Sequence, residues 1–152
     1  MTISDIALLD TNVLVYAADE TSPFHHTAKR VRDRGLRGEI ILAVTPQVLS
    51  EFFAVVTDTK RVLNPRTQQE AALEIEKYYR SKSILKIYPT SDLIPQLLKL
   101  LQRYPVSKQQ IFDLQLVATM LCNGVTRLYT YDVHDFAQYS EIEILNIEDV
   151  AK

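Results

Sequence analysis

Short apolar runs, separated by stretches of helical periodicity, constrain this chain more than any other feature. Ile6-Ala7-Leu8-Leu9 and Ile40-Ile41-Leu42-Ala43-Val44 are apolar without a break. Runs of that length with no alternation belong to strands covered on both faces, as in a parallel sheet. Residues 84–88 and 128–131 are candidate strands of similar length, and residues 142–147 partly alternate, as an edge strand does. Between them lie helix start signals. Ser22-Pro23 and Thr45-Pro46 each set a capping hydroxyl before a proline at the first helical position. Thr67 with Glu70, and Ser107 with Gln110, have the spacing of a capping box. Gly124 follows the last of these helices, where a C-terminal glycine belongs. Strands alternating with helices imply an α/β fold: a small parallel sheet flanked by helices on both faces.

A chain of 152 residues fits one domain, residues 1–152, and can bury a core without staples. The lone Cys122 excludes an intrachain disulfide and a cysteine-rich zinc site. The N-terminal residues lack the pattern of a signal peptide, and no apolar run approaches the roughly 20 residues that span a bilayer. A cytoplasmic protein with no membrane partner is therefore expected. The net charge of −2 does not suit a protein that grips nucleic acid by neutralising phosphates. Any such role must rest on a local patch or on bound cations.

The acids supply the chemistry. Asp10 ends the first apolar run, and ligands collect at strand carboxyl ends in parallel sheets. The same position equally suits a helix cap or a turn. Asp113 is the most informative residue. The segment from Ile111 to Leu121 is apolar almost all round, and Asp113 falls among Leu116, Val117 and Met120, off the polar stripe of Gln115 and Thr119. A carboxylate on an apolar face needs a cation or hydrogen-bond donors beside it. Glu51 lies on a helical stripe with Gln47, Ser50, Ala54 and Asp58, which by itself reads as a solvated face. Its place soon after the second strand keeps it a candidate. Asp132 occupies another strand end, with Asp135 one turn later.

Other polar features read more simply. Lys29, Arg30, Arg32, Arg34 and Arg37 make the densest basic stretch, most simply a solvated helix face. His134 reads as a loop histidine, and the eight tyrosines show no stacking pattern in sequence. Asp10-Thr11-Asn12 lacks the second aspartate of the strand-end phosphatase motif. A receiver domain would want paired early acids and a late lysine, which are not found here.

Taken in order, these residues resemble the PIN-domain family. Leu8-Leu9-Asp10-Thr11-Asn12-Val13-Leu14 is similar to its opening strand and turn. Glu51 in Ser50-Glu51-Phe52 and Asp113 in Asp113-Leu114-Gln115-Leu116-Val117-Ala118 are similar to its second and third acids. Thr130-x-Asp132-x-x-Asp135-Phe136 resembles its closing motif, with Asp132 where asparagine is common. The length resembles the VapC-like toxins of toxin–antitoxin pairs. The resemblance implies a metal-dependent endoribonuclease with Asp10, Glu51, Asp113 and Asp132 as catalytic acids. It implies Mg²⁺, or Mn²⁺ in its place, held by Asp10 and Asp113, with Glu51 and Asp132 as further ligands of one ion or two. Thr11, Asn12, Thr130 and Asp135 would support them, and either Asp132 or Asp135 is the fourth acid. RNA as substrate, a cognate antitoxin as partner and a homodimer complete the expectation. A PIN-like binding module without catalysis, or an RNA-processing nuclease outside any toxin–antitoxin pair, are the alternatives.

Overall fold

The computed structural model describes residues 2–151. Each of the five runs yields a strand of three residues: β1 (Ala7–Leu9), β2 (Leu42–Val44), β3 (Ile84–Lys86), β4 (Arg127–Tyr129) and β5 (Glu143–Leu145). They form one parallel sheet in the order β3-β2-β1-β4-β5. All three residues of β1 and of β2 are buried, which is what their unbroken apolar character requires. β5 lies at an edge, with Glu143 exposed, in keeping with its partial alternation.

Eight α-helices join and cover the strands among the described residues. These are α1 (Thr11–Ala18), α2 (His25–Leu36), α3 (Pro46–Val56), α4 (Gln68–Arg80), α5 (Leu93–Arg103), α6 (Gln110–Cys122), α7 (Val133–Phe136) and α8 (Ile147–Ala151). None is long and apolar enough to cross a membrane. Leu14 of α1, Phe52 of α3, Leu114 and Met120 of α6 and Phe136 of α7 pack with Leu8 and Leu128 in one apolar core.

Three of the start and stop signals act as expected. Thr45 Oγ1 accepts the Val48 N–H at 3.1 Å ahead of Pro46, and opens α3. In the box at α4, Thr67 Oγ1 accepts from Glu70 N at 3.1 Å, and Glu70 Oε1 accepts from Thr67 N at 3.0 Å. Gly124 takes a φ of 69°, and the next N–H, from Val125, donates to the Met120 carbonyl at 2.9 Å. That is the glycine-terminated helix end, in a conformation a Cβ would strain.

Two signals act differently. Ser22-Pro23 does not open a helix; α2 starts at His25. The Ser22 hydroxyl accepts from Phe24 N at 3.0 Å, and Asp19 Oδ1 accepts from both Thr21 N and Thr21 Oγ1. These local bonds satisfy the segment as a turn, in competition with helix. At Ser107, only the return half of the box forms, Ser107 N–H donating to Gln110 Oε1 at 2.9 Å. Lys108 takes a φ of 53°, which interrupts helical geometry and delays α6 to Gln110.

Candidate active site

The chain builds outward from β1 through β2 to β3, then returns to lay β4 on the other side of β1. The carboxyl ends of β1 and β4 therefore flank the point where strand order reverses, the usual ligand crevice of open parallel sheets. The register pairs Leu9 with Tyr129, so Asp10 and Thr130 arrive side by side. Thr130 Oγ1 donates to Asp10 Oδ2 at 2.7 Å.

Asp10 is only 7% exposed. Its Oδ1 accepts the Thr11 N–H at 2.8 Å and its Oδ2 accepts from Asn12 Nδ2 at 3.3 Å, so it caps α1. The capping and functional readings of Asp10 are therefore compatible, since the same carboxylate also faces a cavity. Burial pushes its pKa up to about 6, against the pull of the Thr130 and Thr11 hydrogen bonds, and the charges of Asp132 and Asp113 add to the rise.

Asn12 ties the two strand ends together. Its Oδ1 accepts the Tyr131 N–H at 3.1 Å, and its Nδ2 also reaches Thr130 Oγ1 at 3.3 Å. Thr130 Oγ1 in turn accepts the Asp132 N–H at 2.9 Å. One buried hydroxyl thus holds Asp10 and shapes the turn that carries Asp132.

Asp113 enters from the first turn of α6 and is half-buried. Burial raises its pKa to about 6, with Asp135, Asp132 and Glu51 contributing like-charge repulsion. Glu51 projects from α3 and is half-buried rather than solvated. Thr11 Oγ1 donates to its Oε2 at 2.9 Å, and Gln47 Nε2 to its Oε1 at 3.1 Å. Gln47 Nε2 also donates to the Phe112 carbonyl at 2.9 Å, which joins α3 to the turn bearing Asp113.

These groups line one cavity of about 800 Å³, with Asp10, Thr11, Asn12, Glu51, Asp113, Asp132 and Asp135 all on its wall. Thr130 stands behind the wall and acts on it through Asp10. Residues that sequence reasoning missed also line it: Val15, Tyr16, Asp19, Ala54, Val55, Arg61, Val62, Gln109, Gln110 and Phe112. Asn12, Val15, Tyr16 and Asp19 have i, i+3, i+4, i+7 spacing, a stripe that helical periodicity along α1 could have exposed. Arg61 had no comparable signal. Among the described residues it is the one cation on a wall with six carboxylates.

The donor set is all oxygen, with no histidine or cysteine on the cavity wall. That chemistry fits a hard divalent cation such as Mg²⁺, which takes one or two carboxylates and keeps several waters. Among the described residues, no three Asp, Glu, His or Cys side chains are set so that together they could hold a metal ion. An ion held by one or two carboxylates completes its shell with water and substrate.

The basic stretch lies elsewhere, on and just after α2. Lys29 and Arg32 pair with Asp33, and Arg34 and Arg37 pair with Glu39. None of the stretch reaches the acidic cavity wall. His134 is exposed on α7 and is likewise off that wall.

The model of the PIN domain family matches residues 7–142. Ribonuclease VapC48 of Mycobacterium tuberculosis is 25% identical over 135 residues, covering 89% of this chain and 92% of that protein. The crystal structure of M. tuberculosis VapC20, a toxin that cleaves the sarcin–ricin loop, superposes with a TM-score of 0.62 at 22% identity, over 90% of this chain and 98% of that one. VapBC2 from Rickettsia felis, bound to a DNA fragment from its promoter, gives 0.63 at 16% identity, over 93% and 98%. Both superpositions establish a shared fold.

Proposed function

This chain belongs to the PIN domain family, and on that premise we propose that it is a metal-dependent endoribonuclease, the toxin of a toxin–antitoxin pair. One observation carries the reading. Asp10 and Asp113 come from elements about a hundred residues apart, line the same cavity, and each has its pKa raised to about 6. Clustered acids of this kind are costly when empty and are relieved by a bound cation. The similarity to VapC48, a ribonuclease over nearly its whole length, supports the activity.

Asp10 and Asp113 would hold Mg²⁺, or Mn²⁺ in its place, with Glu51 and Asp132 as further ligands and Asp135 supporting them. When bound, a divalent ion supplies an activated water and neutralises the charge that grows on the phosphate and leaving oxygens. The chain's own residues do the rest. Thr130 and Thr11 hold Asp10 in one orientation on the cavity wall. Glu51, fixed by Thr11 and Gln47, would orient a water against the substrate phosphate. Arg61, on the same cavity wall, would offer a cation to a neighbouring phosphate. A cognate antitoxin is the expected protein partner, supported by the R. felis pair, and the cytoplasm the expected compartment.

The test is cleavage of single-stranded RNA in Mg²⁺ by the parent chain and by Asp113→Asn, with Mg²⁺ binding followed by calorimetry. The parent should cut and D113N should lose cleavage by several orders of magnitude while keeping its melting temperature. Full activity in D113N would defeat the assignment. Tight Mg²⁺ binding without cleavage of any RNA would indicate a binding module instead.

A further inference from the structure

Beside the acidic cavity runs a second, smaller groove of about 380 Å³, and the two share a wall of three aromatic rings. Tyr16 lines the acidic cavity; Phe24 and Tyr131 line the groove. Ring centroids lie 5.2 Å apart for Tyr16–Phe24, 5.2 Å for Tyr16–Tyr131 and 4.7 Å for Phe24–Tyr131. Tyr131 is locked in place: its N–H is held by Asn12, and its hydroxyl is 2.6 Å from Thr27 Oγ1. Phe24, by contrast, is 43% exposed, and Val133, also on the groove wall, is 51% exposed. A core cluster would not leave these apolar faces in water.

We infer that this groove is a subsite for one nucleobase of the substrate strand, stacked on Phe24 next to the scissile phosphate. The inference rests on the ribonuclease reading and deepens it. Three features select a base over other occupants. Among the described residues no Lys or Arg lines the groove, which suits an uncharged planar group and not a phosphate. Its volume of about 380 Å³ lies at the lower end of small-ligand clefts, ~300–1,000 Å³. The exposed Asn146 and Glu148 stand on its wall with the donor and acceptor groups that base edges match. Tyr16, on the wall of the acidic cavity, packs against Phe24 of the groove with ring centroids 5.2 Å apart.

The experiment uses the full chain carrying Asp113→Asn, which binds without cutting, and the RNA that the parent cleaves. Affinity is read by fluorescence anisotropy for that RNA and for a set in which each base in turn is removed. Phe24→Ala should weaken binding about tenfold, in the range for loss of one base–aromatic stack, and Phe24→Trp should restore it. For the one RNA lacking the stacked base, Phe24 and Phe24→Ala chains should bind alike. Equal binding of every RNA by the two chains overturns the inference. So does a loss that is uniform across the whole set, which would mark a structural role. A loss of antitoxin binding with RNA binding intact would assign the groove to the protein partner and also overturn it. If the parent cleaves no RNA at all, the ribonuclease reading falls and takes this subsite with it; cleavage that is indifferent to Phe24 removes the subsite alone.

Discussion

Replacing Thr130 by valine removes one hydroxyl and keeps the shape of the side chain, at a site only 2% exposed. That hydroxyl donates to Asp10 at 2.7 Å and accepts from Asp132 N at 2.9 Å. The second bond is lost at any pH. The first matters most when Asp10 is charged, because a hydrogen bond to an ionised group contributes ~1.5–3 kcal/mol against ~0.5–1.5 kcal/mol for a neutral one. Asp10 binds its proton more tightly folded than unfolded, with a pKa of about 6 against an ordinary 3.8. The sign follows: this proton-linked stability is complete below pH ~4 and is lost as pH rises through about 6. At ~1.36 kcal/mol per pH unit, the metal-free protein gives up roughly 3 kcal/mol across that range. Thr130→Val should raise the Asp10 pKa further, by about one pH unit. The variant should therefore be less stable than the parent by about 1–1.5 kcal/mol more at pH 9 than at pH 5. Urea denaturation of the metal-free chain at both pH values measures the difference, with Thr130→Ser as the control that keeps the hydroxyl. An equal loss at the two pH values would refute the claim that this bond stabilises the Asp10 carboxylate.

Further outcomes follow from the same geometry. Mg²⁺ binding should weaken by roughly ten- to a hundredfold from pH 7 to pH 5, as one or both of Asp10 and Asp113 take up protons; calorimetry that shows no pH dependence would contradict their role as ligands. Thr11→Val frees Glu51 Oε2 and should raise the Mg²⁺ concentration for half-maximal cleavage about tenfold, as loss of a supporting bond does at other metal sites; an unchanged titration would detach Glu51 from the metal. Gly35→Ala should cost about 1–3 kcal/mol by overpacking, because an added Cβ would sit 2.3 Å from Leu42 Cδ1 at a buried position. Its effect should appear in the denaturation midpoint, with cleavage by the folded fraction unaltered.

Much of the fold was legible because its signals are local. An unbroken apolar run such as Leu42-Ala43-Val44 has no polar face to show to water, so it must be covered on both sides. Thr45 and Thr67 open helices because their hydroxyls sit next to N–H groups that no helical carbonyl can reach. Ser22 and Ser107 carry the same type of signal but do not cap the helices expected of them. The Asp19 and Ser22 bonds displace the helix start in one case, and the left-handed Lys108 does so in the other. Glu51 read as a solvated acid because its surroundings, Thr11 and the α6 turn, are 40 or more residues away.

The sequence alone determined which residues had to be accounted for: acids at strand ends and one, Asp113, on an apolar helix face, where an unaccompanied charge costs too much to be incidental. Only the tertiary structure decided that they share a cavity. Strand order and register set Asp10 against Thr130 across 120 residues, and the return crossing to β4 put Asp132 and the Tyr16–Phe24–Tyr131 wall beside it. Periodicity fixes which way a side chain points from its own strand or helix; which other element it meets depends on how the sheet is assembled, and that is a property of the whole chain.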